Sequence, residues 1–455
     1  MVSGATAQSI KPVSLKFGQP NCSSAAASRP VLPAPDRAEA MVVELQGATR
    51  DTAEIVDAIG RSDTEPAAFG ARILSELIEL SDSERFSDLQ IQSDRLIYAN
   101  AGGSTRPITR WGKLSSAVAF SILRYLHDSR RVFLGIGPEK AEAGLEELFL
   151  AERKLDFASE GSGPGSPLKN GRFRVQAHFS NRGIGVTIRV LRNKIASLEE
   201  IGMPGEVIES LRQRVGKKQG MGLIVGPTGS GKTTTLAALL DWVRLSQNKH
   251  IVTIEDPIEY VYPDTVEVGG SLPPLPAPAL VTQQEVGAHV RSFEQGLVDA
   301  LRKKPDIILV GEIRTAETLR IALEAAETGH FILSTLHTRG AGKTLGRMRQ
   351  MFSLEQARGI LQQFADVGSF ILSQGLMPDV TGRYVLGCEY FAIQEIEDRN
   401  AIRKYAEGGF QDVEERLNKP YNRKWNAELK VLLNAKRITP EVYEQFYQVT
   451  GLENK

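Results

Sequence analysis

The sequence predicts an α/β chain of two folded domains, on three observations. Apolar runs GLIV, HIVTI, DIILV and FILST alternate with helical stretches through the second half. A glycine-rich loop joins the first of these runs to a helix. Two alternating segments, GRFRVQAHFS and IGVTIRVLR, read as a hairpin upstream. Strands alternating with helices signal a largely parallel sheet covered on both faces, whereas a hairpin belongs to an antiparallel unit.

The length of 455 residues accommodates two domains of roughly 150 residues each plus tails. Residues 1–65 are rich in Ala, Ser and Pro and offer little to bury, which predicts a disordered tail, with a short helix possible near 50–60. From Phe69, Ile73, Leu74, Leu77, Ile78 and Leu80 recur at helical spacing, and SDLQIQSDRLIYANAGGSTRPI then alternates and turns like a strand pair. A helix over Ala117 to His127, a loop at GSGPGSPLKNG and the hairpin turning at 181–183 complete an N-terminal domain, 66–200. The second domain spans 201–405. Within it the Pro-rich stretch at about 269–282 reads as an exposed inserted loop, since proline suits neither a helix interior nor a central strand. After Phe352 the pattern reads as helical, and 406–455 as a peripheral helical tail.

Lys plus Arg and Asp plus Glu each number 55, so no global field draws the chain to nucleic acid or anionic lipid. The absence of a basic stripe interleaved with aromatics argues against a direct DNA track. Cys22 and Cys388 stand in a tail and an apolar strand-like stretch, which suggests no disulfide framework and fits a reducing cytoplasm. No apolar run is long enough for a signal peptide or a membrane span, so action at a membrane would need recruitment by partners.

The segment Gly226, Pro227, Thr228, Gly229, Ser230, Gly231, Lys232, Thr233, continued by Thr234, follows a strand and opens a helix, as a phosphate-binding P-loop requires. Glycines let backbone N–H groups approach phosphate oxygens, the helix N-terminus favours negative charge, Lys232 reaches β and γ phosphates, and Thr233 can ligate Mg²⁺. Downstream, IVTIEDPIEY ends a strand in Glu255, Asp256 and Glu259, where open sheets place their ligands. One of these can position water for in-line attack on a γ-phosphate; the bland alternative is a solvated acidic turn. DIILVGEIR sets Gly311 and Glu312 after another strand, with Gly where many P-loop enzymes carry a magnesium-orienting Asp. Glu312 can still orient a metal-bound water, which leaves Glu259 and Glu312 both open as general base. His337, ending FILSTLHT, suits either a γ-phosphate sensor or a structural hydrogen bond. Arg174, Arg182 and Arg189 in the hairpin, with Arg192 beyond, form either a solvated basic face or arginines supplied to a neighbouring subunit's phosphates.

The boxes GPTGSGKTTT, TIEDPIEY, DALRKKPDIILVGEIR and AAETGHFILSTLHT, in this order, closely resemble the secretion ATPases of the PilT and GspE type, over roughly residues 70–405. The resemblance implies a PAS-like N-terminal domain, a RecA-like ATPase domain and a homohexameric ring that hydrolyses ATP with Mg²⁺ to move one domain against the other. By position it implies Walker A contacts at Lys232 and Thr233, a water-polarising Glu259, a Walker B acid at Glu312 and a His-box residue at His337. It also implies that Arg174, Arg182 and Arg189 approach a neighbouring subunit's ATP, and it makes Gly311 normal. The long Ala/Pro tail, the insertion and the extended C-terminus are more similar to the DotB and TraJ type, which serves type IVB secretion and plasmid conjugation at the cytoplasmic side of the inner membrane with membrane-bound coupling proteins. NAIRKY resembles the motif of pilus-retraction motors, and a nucleotide-responsive assembly scaffold is a further alternative.

Overall fold

The computed structural model describes residues 70–79, 86, 88–101, 104–133, 145–160, 172–191, 194–266 and 273–449. The Ala/Pro/Ser-rich tail, the helix considered near 50–60, the GSGPGSPLKNG loop, residues 269–272 of the Pro-rich stretch and Arg192 lie outside them.

The N-terminal part is a six-stranded antiparallel sheet in the order β3-β2-β1-β6-β5-β4. The strands are β1 (Asp88–Gln92), β2 (Ile97–Ala101), β3 (Ser104–Ile108), β4 (Lys154–Glu160), β5 (Arg172–Ser180) and β6 (Gly183–Leu191). Helix α1 (70–79) buries Ile73, Leu74, Leu77 and Ile78, the face its periodicity predicts. It packs beside α2 (Ser116–Phe133), which lies on β1, β4 and β6; α3 (Leu145–Glu152) leads into β4. The segment expected to form a strand pair forms three strands. Pro107, which donates no hydrogen bond, sits in β3 at the sheet edge, where that loss is tolerated. Along β5, Phe173, Val175 and Ala177 are buried on one face, so Arg172 and Arg174 share the other.

The second part has a seven-stranded sheet in the order β11-β8-β12-β13-β7-β14-β15, parallel except for β15. In chain order the elements are α4 (Gly205–Val215), β7 (Gly220–Val225), α5 (Lys232–Ser246), β8 (His250–Glu255), the short pair β9 (Thr265–Val266) and β10 (Leu275–Pro276), β11 (Leu280–Glu285), α6 (Phe293–Leu301), β12 (Ile307–Val310), α7 (Ala316–Glu327) and β13 (Phe331–Leu336). There follow α8 (Ala341–Gln350), α9 (Leu354–Val367), β14 (Gly368–Pro378), β15 (Tyr384–Ala392), α10 (Ile396–Tyr405), α11 (Phe410–Arg416), α12 (Trp425–Asn434) and α13 (Pro440–Val449). β7, β12 and β13 are wholly buried, with an apolar core on each side of the sheet, which explains their near-continuous hydrophobic runs.

Three expectations need correction. Residues 280–282, expected in an exposed loop, begin edge strand β11, whose polar sequence LVTQQE hides its strand character. The region after Phe352, read as helical apart from the strand-like stretch around Cys388, contains β14 and β15; strands buried on both faces carry no period-two signal. The C-terminal segment is not merely peripheral, because Trp425, Leu429, Leu432 and Ile438 form an apolar core with Met377 and Val385 of β14 and β15. Among the described residues no helix is long and apolar enough to cross a membrane.

Glu389 on β15 accepts backbone N–H groups at the starts of both α8 (Ala341, 2.8 Å) and α12 (Trp425). Burial nevertheless dominates and pushes its carboxyl up to about 7. A folded pKa above the ordinary 4.5 means that the stability this group supplies is complete below pH 4.5 and lost as pH rises through about 7. Glu389→Gln removes that loss, so the variant's stability relative to the parent, followed by melting curves, is expected to rise between pH 5 and pH 8, with an upper bound of about 3 kcal/mol. An unchanged difference across that range contradicts this reading.

Candidate functional site

Most of the predicted residues gather around one cavity of about 410 Å³ at the C-terminal ends of the parallel strands. From β7 the chain turns through Gly226 (φ 157°), Gly229 (φ 78°) and Gly231 (φ 84°) into α5. A Cβ at Gly226 would stand 2.5 Å from both the Gln374 carbonyl oxygen and Ser230 Oγ, so only glycine fits this close approach. Gln374 Nε2 on β14 donates to the Ser230 carbonyl at 2.7 Å and ties the loop to the sheet. Lys232 Nζ donates to the carbonyls of Gly226 and Pro227, each at 3.0 Å. Burial lowers its pKa, while Glu312 and Glu259 act to raise it. Thr228 to Thr234 all line the cavity, and Thr234 Oγ1 meets Tyr260 Oη at 3.0 Å. The loop and the start of α5 thus form an anion cradle.

The acidic box divides by environment. Glu255 is buried at the end of β8, accepts from Thr253 Oγ1 (2.7 Å) and Gln283 Nε2 (3.1 Å), and is pushed up to about 7, chiefly by desolvation. Asp256 is exposed, with Arg314 Nη1 3.5 Å away. Glu259 reaches the cavity half-buried, 3.6 Å from Arg174 Nη1. All three line the cavity, and Glu259 is the one whose ion-pair partner, Arg174, lines it as well.

At the end of β12, a Cβ on Gly311 would stand 3.3 Å from the Ile254 carbonyl oxygen, a tight contact that favours glycine. Glu312 lines the cavity, pairs with Arg314 and lies 3.2 Å from His337 Nε2 at the end of β13. His337 is therefore linked to the strand-end acid. Among the described residues no cluster of three His, Cys, Asp or Glu stands ready to hold a metal ion by itself.

Arg174 and Arg189 are cross-strand partners on β5 and β6, and both line the same cavity. Like charges placed opposite each other repel, which is offset here by Asp156 and Glu259 beside Arg174 and by Asp88 beside Arg189 at 2.7 Å. Arg182 sits on the exposed hairpin turn and does not line the cavity. Residues that sequence reasoning missed include Gln283 and Glu285 on β11, Gln374 on β14, Arg314, and Arg172. For Arg172 a signal was present: it stands two residues before Arg174 on one strand face.

A sequence profile described as type II/IV secretion system protein matches residues 167–410, more than half of the chain. The chain belongs to this family. Within the secretion-ATPase superfamily, it is 41% identical over 233 residues to the type IV pilus retraction ATPase PilT of Pseudomonas aeruginosa, which covers 51% of this chain and 63% of that protein. It is 40% identical over 181 residues to type II secretion system protein E of Dickeya dadantii, which covers 39% of this chain and 33% of that one. The chain thus spans less than two thirds of the length of these curated relatives. Among solved structures, the pilus retraction motor PilT with bound ADP superposes with a TM-score of 0.66 at 28% identity, covering 82% of this chain and 96% of that one. The ATPase DotB of Legionella pneumophila superposes with a TM-score of 0.65 at 26% identity, covering 84% and 96%. The family's fold therefore extends across both sheets.

Proposed function

We propose that this family member is an ATP-hydrolysing motor subunit. The observation that carries the reading is convergence in one cavity of an anion-cradling loop, an arginine-paired carboxylate at Glu259, the Glu312–His337 pair, and two arginines from the other sheet. Phosphoryl transfer needs mainly positioning and charge stabilisation, and these groups supply both. Lys232 and the loop N–H groups hold β and γ phosphates, Glu259 orients the attacking water, and Arg174 and Arg189 balance charge that develops on the phosphoryl oxygens. His337 relays the state of Glu312 to the following loop.

The site suits Mg²⁺ without a preformed protein cage. A hydroxyl from Thr233 and a carboxylate from Glu312, both lining the cavity, are hard oxygen donors, and magnesium ordinarily completes its shell with water and phosphate oxygens. When bound, the ion would neutralise phosphate charge.

A closed homohexameric ring, recruited to the cytoplasmic face of the inner membrane by envelope proteins, is the assembly that the family resemblance implies. Arg174 and Arg189 meet the cavity of their own chain, which supports a role in cis; the exposed Arg182 is left to contact a neighbouring copy. Two machines are in contention. Type IVB secretion or conjugative transfer is favoured by the C-terminal and Pro-rich extensions and by the match to DotB; pilus retraction is favoured by the 41% identity to PilT. Deletion in the native host separates them: loss of effector or plasmid transfer with motility intact supports the first, and loss of surface motility with transfer intact supports the second.

A further inference from the structure

Arg172 lies on β5 of the N-terminal sheet and is 3% exposed, yet its guanidinium contacts the turn that presents Glu259 from the parallel sheet. Nη2 donates to the Ile258 carbonyl at 2.9 Å and Nη1 to the Glu259 carbonyl at 3.0 Å, while Nε lies 3.3 Å from Glu160 Oε2. Glu285 Oε2 on β11 accepts the Ile258 N–H at 3.2 Å. The turn backbone is thus held by a cation on its carbonyls and a carboxylate on its amide, and the two charges also attract each other. Two residues along β5, Arg174 meets the Glu259 carboxylate.

We propose that Arg172 is a positioning residue that fixes Glu259 over the phosphate loop and makes its placement depend on the seating of the N-terminal sheet. Neighbouring same-face residues of one strand hold the backbone and the charge of a single acidic residue. A planar fork can bond two successive carbonyls at once, which a lysine ammonium on a flexible stem cannot reproduce. A buried guanidinium needs its charge and its donors compensated, here by the Glu160 carboxylate and by two turn carbonyls, so displacement of β5 would take those carbonyls from Nη1 and Nη2 and leave them without this charged donor. Movement of the N-terminal sheet must therefore carry the acidic turn with it or release Glu259. The clamp is read from geometry; its effect on turnover rests on the ATPase reading above.

The test combines Arg172→Lys, kinetics on the full chain and hydrogen exchange. The expected result is a fall in kcat of about tenfold, in line with the sensitivity of positioned groups to small displacements, with KM for ATP changed less than twofold. Amide exchange across 258–262 should accelerate at least about tenfold, with the phosphate loop unaffected. In a Glu259→Gln background the residual turnover should show no further fall, since a residue acting through another is non-additive with it. An equal fold loss in both backgrounds, or unchanged exchange in the turn, overturns the proposal. Should Arg172→Lys fail to fold, Glu160→Gln keeps the arginine but removes the carboxylate charge that lies 3.3 Å from its Nε; it should quicken exchange at 258–262, and unchanged exchange overturns the proposal. Absence of turnover in the parent chain would refute the ATPase reading and leave the exchange measurement to decide the clamp.

Discussion

Lys232→Ala is expected to abolish ATP turnover, with a loss of about 10³-fold or more, and to weaken nucleotide binding at least about tenfold. Two effects add. The ammonium is a buried cation at the mouth of the loop, so on the proposed reading its removal takes from the β and γ phosphates a charge partner at a place where water screens poorly. Its hydrogen bonds to the Gly226 and Pro227 carbonyls also close the loop on itself, and those carbonyls lose a charged donor. The cost to folding is modest, about 1–3 kcal/mol, so phosphate release and a melting curve on the same sample separate chemistry from unfolding. Turnover within about tenfold of the parent in a folded Lys232→Ala protein would remove the loop from the mechanism.

Glu259→Gln should show the complementary pattern. The amide retains the shape of the side chain but cannot take a proton, and loss of a positioned base typically costs 10²–10⁴-fold in rate. Its partner Arg174 keeps Asp156 within 3.1 Å, so nucleotide affinity is expected to stay within about threefold of the parent. The variant also bears on the choice between Glu259 and Glu312. Glu312 is engaged by Arg314 and His337, whereas Glu259 faces the cavity against one arginine, which fits Glu259 as the water-orienting group and Glu312 as the metal-side acid. Phosphate release and equilibrium nucleotide binding measured together decide this. Weakened binding with proportionate loss of rate would reassign Glu259 to ground-state binding. Full transfer activity in a host carrying the hydrolysis-dead variant would favour a nucleotide-responsive scaffold over a motor.

The strand ends were legible because chemistry and periodicity coincide there: a glycine loop between an apolar run and a helix, and acids or a histidine closing three further runs. The two arginines of the cavity were legible by type but not by place, since alternation puts residues on a face without saying what that face meets. The support for the acidic turn was hidden for a physical reason. β11 is an edge strand with the polar sequence LVTQQE, and its Gln283 and Glu285 bond the turn rather than fill a core. Arg172 was legible by face, two residues before Arg174, but not by role, because a buried arginine bonded to main-chain carbonyls looks in sequence like any basic residue on an exposed strand. β14 and β15, buried on both faces, lack the alternation that marks a half-buried strand, so the anchor that Gln374 provides to the phosphate loop was not visible either.

The central claim, that this cavity hydrolyses ATP, is tested most directly by steady-state phosphate release from the purified full chain with and without Mg²⁺. The account expects magnesium-dependent release that continues over many equivalents and disappears in Lys232→Ala. Saturable ATP binding with no phosphate released under any magnesium concentration would contradict it.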